Sequence, residues 1–300
     1  MSQPLASTTM ATELPGMDPS MRIGAVHLAV GDLPRSVDFY ERVLGLPVIS
    51  REANGARLGP RPTGPLLELT GLPHPRPAPL GATGLFHVAW LHPSRATLAA
   101  TVRRVAQAGW PIDGASDHGV SEALYLSDSD GLGIEICADR PRELWERGAD
   151  GQGVRMVTLP LDLDDLMAQA EGEPAGSMPP DTEVGHVHLK VSDVPRAVAF
   201  YRDGLGLQEQ AQLPSAGFLS AGGYHHHVGL NSWHSRGGSR PPDDVPGLRL
   251  VELELGGADA LNTLERRLSE TPGGGFSREQ DGALTVFDPD GQPLAFHGNY

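Results

Sequence analysis

Apolar and polar residues alternate in short runs along this chain. In "VHLAV" (from Val26) and "VHLKV" (from Val187) every second residue is aliphatic, the period of a strand with one face buried. After each run comes "GDLPR" or "SDVPR", and then Val37, Tyr40, Val43 and Leu44 recur at helical spacing. Asp32 and Asp193 are predicted helix N-caps with proline in the first turn, and Gly45 is a predicted stop. The 24-residue stretches beginning at Gly24 and Gly185 are identical at 14 positions without a gap. Weaker copies of the rhythm start at Gly84 ("GLFHVAWLHPSRATLAATVRRVAQAGW") and Gly247 ("GLRLVELELGGADALNTLERRLSETPG"). Each weaker copy ends in a pair of strands, "ALYLSDSDGLGIEIC" and "ALTVFDPDGQPLAFH". The pattern predicts four units of strand, helix and several strands, the product of internal duplication.

Composition refines this picture. The predicted division is a flexible tail over 1–21, a first pair of units over 22–138, a Pro/Gly-rich linker over 139–183 and a second pair over 184–300. A formal net charge of −15 argues against a nucleic-acid partner. One cysteine, Cys137, excludes an internal disulfide framework and fits the reducing cytoplasm. No apolar run reaches the ~18 residues of a membrane helix, and the N-terminus lacks the basic flank and apolar stretch of a secretory signal. A cytoplasmic enzyme without membrane contacts is expected, and a homo-oligomer is compatible with the sequence.

Four βαβββ modules carrying segments such as "DLPRSVDFYERVLGL" resemble the vicinal-oxygen-chelate superfamily. That superfamily includes glyoxalase I, bleomycin-resistance proteins and type I extradiol dioxygenases. The resemblance implies an α+β fold in which four βαβββ modules pair into two cupped mixed sheets, with metal ligands on the first and last strands of a module. Those positions are His27 and Glu68 in module one, His87 and Glu135 in module two, His188 and the "YHHH" run in module three, and Leu250 and Ala295 in module four. Module four therefore lacks ligands.

The stretch "HGVSEALYLSDSDGLGIE", with His118, Tyr125, Asp128, Gly131 and Glu135 at its fixed intervals, resembles the signature of type I extradiol dioxygenases; Ser129 stands where that motif usually has proline. The resemblance implies metal ligands His87, Glu135 and a third histidine, His188 in preference to His27. It also implies that modules two and three share a cup. Two imidazoles and one carboxylate suit non-haem Fe(II), and Mn(II) accepts the same set. His227, the last of the histidine run His225–His227, is the expected acid–base, because alternate strand residues face opposite ways. Tyr125 and His118 are expected to hydrogen-bond the substrate, and Trp90, Phe218 and Trp233 to line the cup. The expected reaction is extradiol cleavage of a catechol-type diol with O₂. The alternatives are a glyoxalase-like lyase or isomerase using His27, Glu68, His87 and Glu135, and a metal-free small-molecule-binding protein of the resistance type.

Overall fold

A computed structural model describes residues 15–60, 64–148, 151–170, 176–271 and 275–298. Module one is β1 (Arg22–Val30), α1 (Leu33–Asp38), β2 (Val48–Arg51), β3 (Gly55–Leu58) and β4 (Leu67–Gly71). Module two is β5 (Gly84–His92), α2 (Arg95–Gln107), β6 (Gly114–Asp117), β7 (Ser121–Ser127) and β8 (Gly133–Asp139). A short helix α3 (Leu163–Ala168) follows. Module three is β9 (Glu183–Lys190), α4 (Val194–Ala199), β10 (Gln208–Leu213), β11 (Ala216–Ser220) and β12 (Val228–Asn231). Module four is β13 (Gly247–Glu254), α5 (Ala258–Glu270), β14 (Phe276–Arg278), β15 (Leu284–Phe287) and β16 (Pro293–His297). The α+β class and the four βαβββ modules are as expected from the sequence.

The caps form as the residue types dictate. Asp32 accepts from the Arg35 amide and Asp193 from the Arg196 amide, each one residue before a helix with proline in its first turn. Both helices then widen into a single π-turn, Phe39–Val43 and Phe200–Gly204, and the first ends at Gly45, whose φ of 80° an L side chain resists.

Strand pairing decides which modules face one another. β5 runs antiparallel to β9, so modules two and three form one eight-stranded cup in the order β6-β7-β8-β5-β9-β12-β11-β10. β1 runs antiparallel to β13, so modules one and four form the other. A single pairing, Ile23 with Val184, joins the two cups. The sheets thus do not pair the modules as 22–138 and 184–300. Sequence neighbours touch instead through turns. The Tyr40 hydroxyl donates to Asp128 at 3.0 Å, and Tyr201 to Asp288 at 3.3 Å.

The segment after β8 is more than a linker. Its Leu166 is completely buried, Asp165 pairs with Arg95, and Asp117 and Leu159 form a β-bridge. The tail expected over 1–21 falls partly outside the described residues. From Pro15 onward it is docked, with Met17 and Met21 buried and the Met17 amide donating to the Gly206 carbonyl at 2.8 Å. Among the described residues no helix is long and apolar enough to cross a membrane.

The turn aspartates yield a pH prediction. Burial raises the Asp128 carboxyl from 3.8 to about 6, against the amides of Leu132 and Asp130 and the Tyr40 hydroxyl. A carboxyl whose folded pKa is raised contributes fully below its unfolded value and loses that contribution as pH rises through about 6. The loss is on the order of 3 kcal/mol between pH 4 and 7. Asp128→Asn keeps the acceptor for both amides and removes the charge. In urea unfolding it should match wild type at pH 4.5 and exceed it at pH 7.5; equal destabilisation at both pH values would refute the assignment.

Candidate metal centre and active site

One row of residues runs across four strands of the cup formed by modules two and three. Tyr125 on β7 lies opposite Glu135 on β8, Glu135 beside Ala89 on β5, and Ala89 opposite His186 on β9. Directly paired residues point to the same face of a sheet, so all four side chains face the cup. Ala89 is too small to fill its place in the row, and His87, two residues earlier on the same face of β5, converges with its neighbours. β8 can lie this close because Gly133 has no side chain: a Cβ there would meet the Phe86 carbonyl oxygen at 1.9 Å.

The result is a triangle of donors. His87 Nε2 and Glu135 Oε2 are 3.0 Å apart, His186 Nε2 and Glu135 Oε2 3.3 Å, and the two Nε2 atoms 3.1 Å. All three side chains are buried. Two atoms about 2.1 Å from an ion at neighbouring corners of an octahedron are about 3.0 Å apart, so the triangle has the size of one octahedral face. Hydrogen bonding alone satisfies it poorly. Protons on both Nε2 atoms would confront each other, and a lone pair on either would confront the carboxylate. Burial by itself raises the Glu135 carboxyl, but the His186 and His87 imidazoles overturn this and hold it well below its ordinary value. Burial lowers the His87 imidazole despite Glu135, which favours the neutral, ligating form.

The expected third donor, His188, is not in the triangle. Its ring centroid lies 5.0 Å from that of His87, but the strand register places it opposite His87 and one pleat away from the Glu135 row. Parity put His186 and His188 on the same face, and only the register of β5 against β9 chooses between them. A β-bulge at Phe86 brings that ring against His87, His188 and Trp233. Phe218 closes on His188 from β11, and Gly229 leaves room for the His188 ring, which a Cβ would meet at 2.8 Å. Phe218 and Trp233 thus belong to the cup, as expected. Trp90 does not: it is fully buried on the opposite face of β5, 6.5 Å from the Tyr40 ring.

The histidine run also differs from expectation. Residues 221–227 form a turn and bends, and β12 begins only at Val228, so strand alternation does not apply to them. His227 is engaged by its own loop: its Nδ1 accepts from the Ala221 amide and its ring lies on Tyr224. Burial and the charges of His225, His186 and Arg142 push it down to about 3. His226 is the histidine beside the centre, its ring centroid 4.0 Å from that of His186.

The neighbours of His226 favour one tautomer. His225 Nε2 lies 2.9 Å from an Asp139 carboxylate oxygen and must donate to it. A neutral His225 then presents Nδ1 as an acceptor, and His226 Nδ1 donates to it across 2.8 Å. This leaves the His226 Nε2 lone pair unprotonated. Burial, followed by the surrounding imidazoles, lowers His226 well below its ordinary value.

His118 and Tyr125, each expected to hydrogen-bond the substrate, are joined to one another. His118 Nδ1 donates to the Val157 carbonyl at 2.7 Å, and its Nε2 is 2.7 Å from the Tyr125 hydroxyl. Burial, and then the Glu135 carboxylate, raise the phenol above its ordinary value. Val157, in the segment read as a linker, thereby orients a site residue.

The other cup cannot complete this site. His27 Nε2 pairs with Glu252 at 2.8 Å, and Glu68 with Arg57 at 2.9 Å, in the cup formed by modules one and four. The four-ligand set of His27, Glu68, His87 and Glu135 is therefore divided between two cups. By the internal repeat, the counterparts of His186, His87 and Glu135 there are Ala25, Leu250 and Ala295, none of them a donor.

Comparison with known proteins agrees with this architecture. The chain is 40% identical over 271 residues to catechol-2,3-dioxygenase of Bacillus subtilis (strain 168), covering 89% of this chain and 93% of that protein. A solved structure from Bacillus subtilis subsp. subtilis str. 168 shares the fold with a TM-score of 0.65 at 14% identity, over 94% of this chain and 86% of the other. Glyoxalase I from Zea mays does so with a TM-score of 0.54 at 16% identity, over 92% of each chain. Residues 22–136 and 183–296 match the family of the same description, and the chain belongs to the Glyoxalase/Bleomycin resistance protein/Dioxygenase superfamily.

Proposed function

We propose that the chain is an Fe(II)-dependent extradiol dioxygenase that opens the ring of catechol-type diols with O₂. The observation that carries the reading is the buried triangle of His87, Glu135 and His186, which would hold an ion through three protein donors and leave positions for substrate. The 40% identity to a catechol-2,3-dioxygenase favours the reading over the other activities of the superfamily. Fe(II) held there supplies coordination positions for the diol oxygens and the redox chemistry that dioxygen requires; the donor set accommodates Mn(II) as well.

The chain's own groups have these roles. His226 Nε2 takes the proton that the diol loses on binding and returns it later. The Asp139–His225 pair keeps that nitrogen unprotonated. The Tyr125 hydroxyl, held by His118, hydrogen-bonds a diol oxygen. His188, whose buried Nε2 has no hydrogen-bond partner among the described residues, faces the substrate rather than the ion, and Phe86, Phe218 and Trp233 give the flat ring an apolar slot.

The test is oxygen uptake by protein loaded anaerobically with Fe(II). One O₂ per diol and a ring-opened semialdehyde are expected. Glu68→Gln, in the other cup, should leave both iron content and rate intact. Absence of uptake across a panel of catechols, or loss of metal in Glu68→Gln, would overturn the reading.

A further inference from the structure

β9 presents His186, His188 and then Lys190 on a single face, since residues alternate along a strand and its pairing with β12 is regular from Val187 to Lys190. Lys190 therefore lies about 13 Å along the strand from His186 and about 7 Å from His188. It lines a cavity of about 860 Å³ whose wall also includes Phe86, His87 and Tyr125. Lys190 is partly buried and forms no ion pair or hydrogen bond among the described residues, and burial alone lowers its ammonium. Arg249, on the same wall, donates to the carbonyls of Leu248, Asp243 and Val245 and, among the described residues, to no carboxylate.

The nearby acids are already engaged. Asp32 caps α1, Asp130 takes the Gly31 amide and Arg35, and Asp290 takes the Ser192 amide and hydroxyl. In a chain of net charge −15, an unpaired cation on the wall of the active-site cavity is a specific feature. The copy of this strand in module one, which faces the cup without donors, has Ala29 in its place.

We propose that Lys190 pairs with a carboxylate carried by the substrate, so that this cavity prefers an aromatic diol with an acidic side chain to catechol itself. The diol part of this proposal rests on the dioxygenase reading; the anion part rests on the cavity wall. An extended acidic chain on the ring would reach from the centre toward the ammonium, and the charge-assisted hydrogen bond would set both orientation and preference.

The test compares dihydrocaffeate with its neutral amide, a pair of similar shape and different charge. Binding is measured by anaerobic calorimetry on Fe(II)-loaded protein, and turnover by oxygen uptake. Wild type should bind the acid at least about tenfold tighter than the amide. Lys190→Met should bring that ratio near one, and Lys190→Arg should restore most of it. Equal binding of acid and amide by wild type, an unchanged ratio in Lys190→Met, or binding of neither ligand would overturn the proposal. A ratio that responds to Lys190→Met without oxygen uptake from any diol would leave the anion site standing and remove the dioxygenase reading.

Discussion

His186→Ala is expected to strip the metal from this protein, while His188→Ala retains it. The two histidines share a strand face and a chain neighbourhood, so composition and local propensity treat them alike. Their surroundings do not. His186 Nε2 is 3.3 Å from Glu135 and 3.1 Å from His87 Nε2, whereas the His188 ring packs edge-on to His87 and otherwise against Phe86, Phe218 and Trp233. Removing one donor of three from a site with open positions should weaken divalent-metal binding by a hundredfold or more. Glu135→Gln should act similarly, because it removes the sole negative charge among the donors and leaves two buried imidazoles to share the ion. The measurement is iron content after anaerobic loading and dialysis, together with oxygen uptake. His188→Ala should stay loaded and show a raised KM. Metal retained by His186→Ala and lost by His188→Ala would reverse the assignment and remove the basis for the mechanism.

The second large effect falls on the histidine run. His226→Ala should lower kcat by about 10²- to 10⁴-fold with metal bound as in wild type, the usual range for removal of a general base. His227→Ala should change kcat little, since that ring is committed to the Ala221 amide and Tyr224. Asp139→Asn separates positioning from chemistry. An amide can turn its NH₂ toward His225 Nε2, which forces that nitrogen to accept and reverses the chain of donors, so that His226 carries its proton on Nε2. Turnover should fall, and the acidic limb of the pH–rate profile should move while KM is little altered. A full loss of rate in His227→Ala with His226→Ala still active would show that the loop rearranges when substrate binds, and the base would have to be reassigned.

How far the site could be read in advance depends on the kind of information each residue needs. His118, Tyr125 and Glu135 stand at characteristic intervals along contiguous chain, and a strand, turn and strand set Tyr125 opposite Glu135, while His87 follows from its place on the first strand of module two. Phe218 and Trp233 follow from their place in module three. Trp90 lies three residues after His87 on a regular stretch of β5, so alternation turns it to the opposite face, into the core beside Tyr40. His227 was preferred over His226 on the rule of alternation, which holds only within a strand, and residues 221–227 are not one.

The repeat, the α+β class, the capped helices and the identity of the donor-bearing strands follow from the sequence itself, because they depend on residue type and short-range spacing. The choice of His186 over His188 and the assignment of Val157 and Asp139 to orient site histidines belong to the tertiary structure. Each depends on the register or docking of segments tens of residues apart, and a shift of one pleat along β9 would have exchanged the two histidines without altering a single local preference.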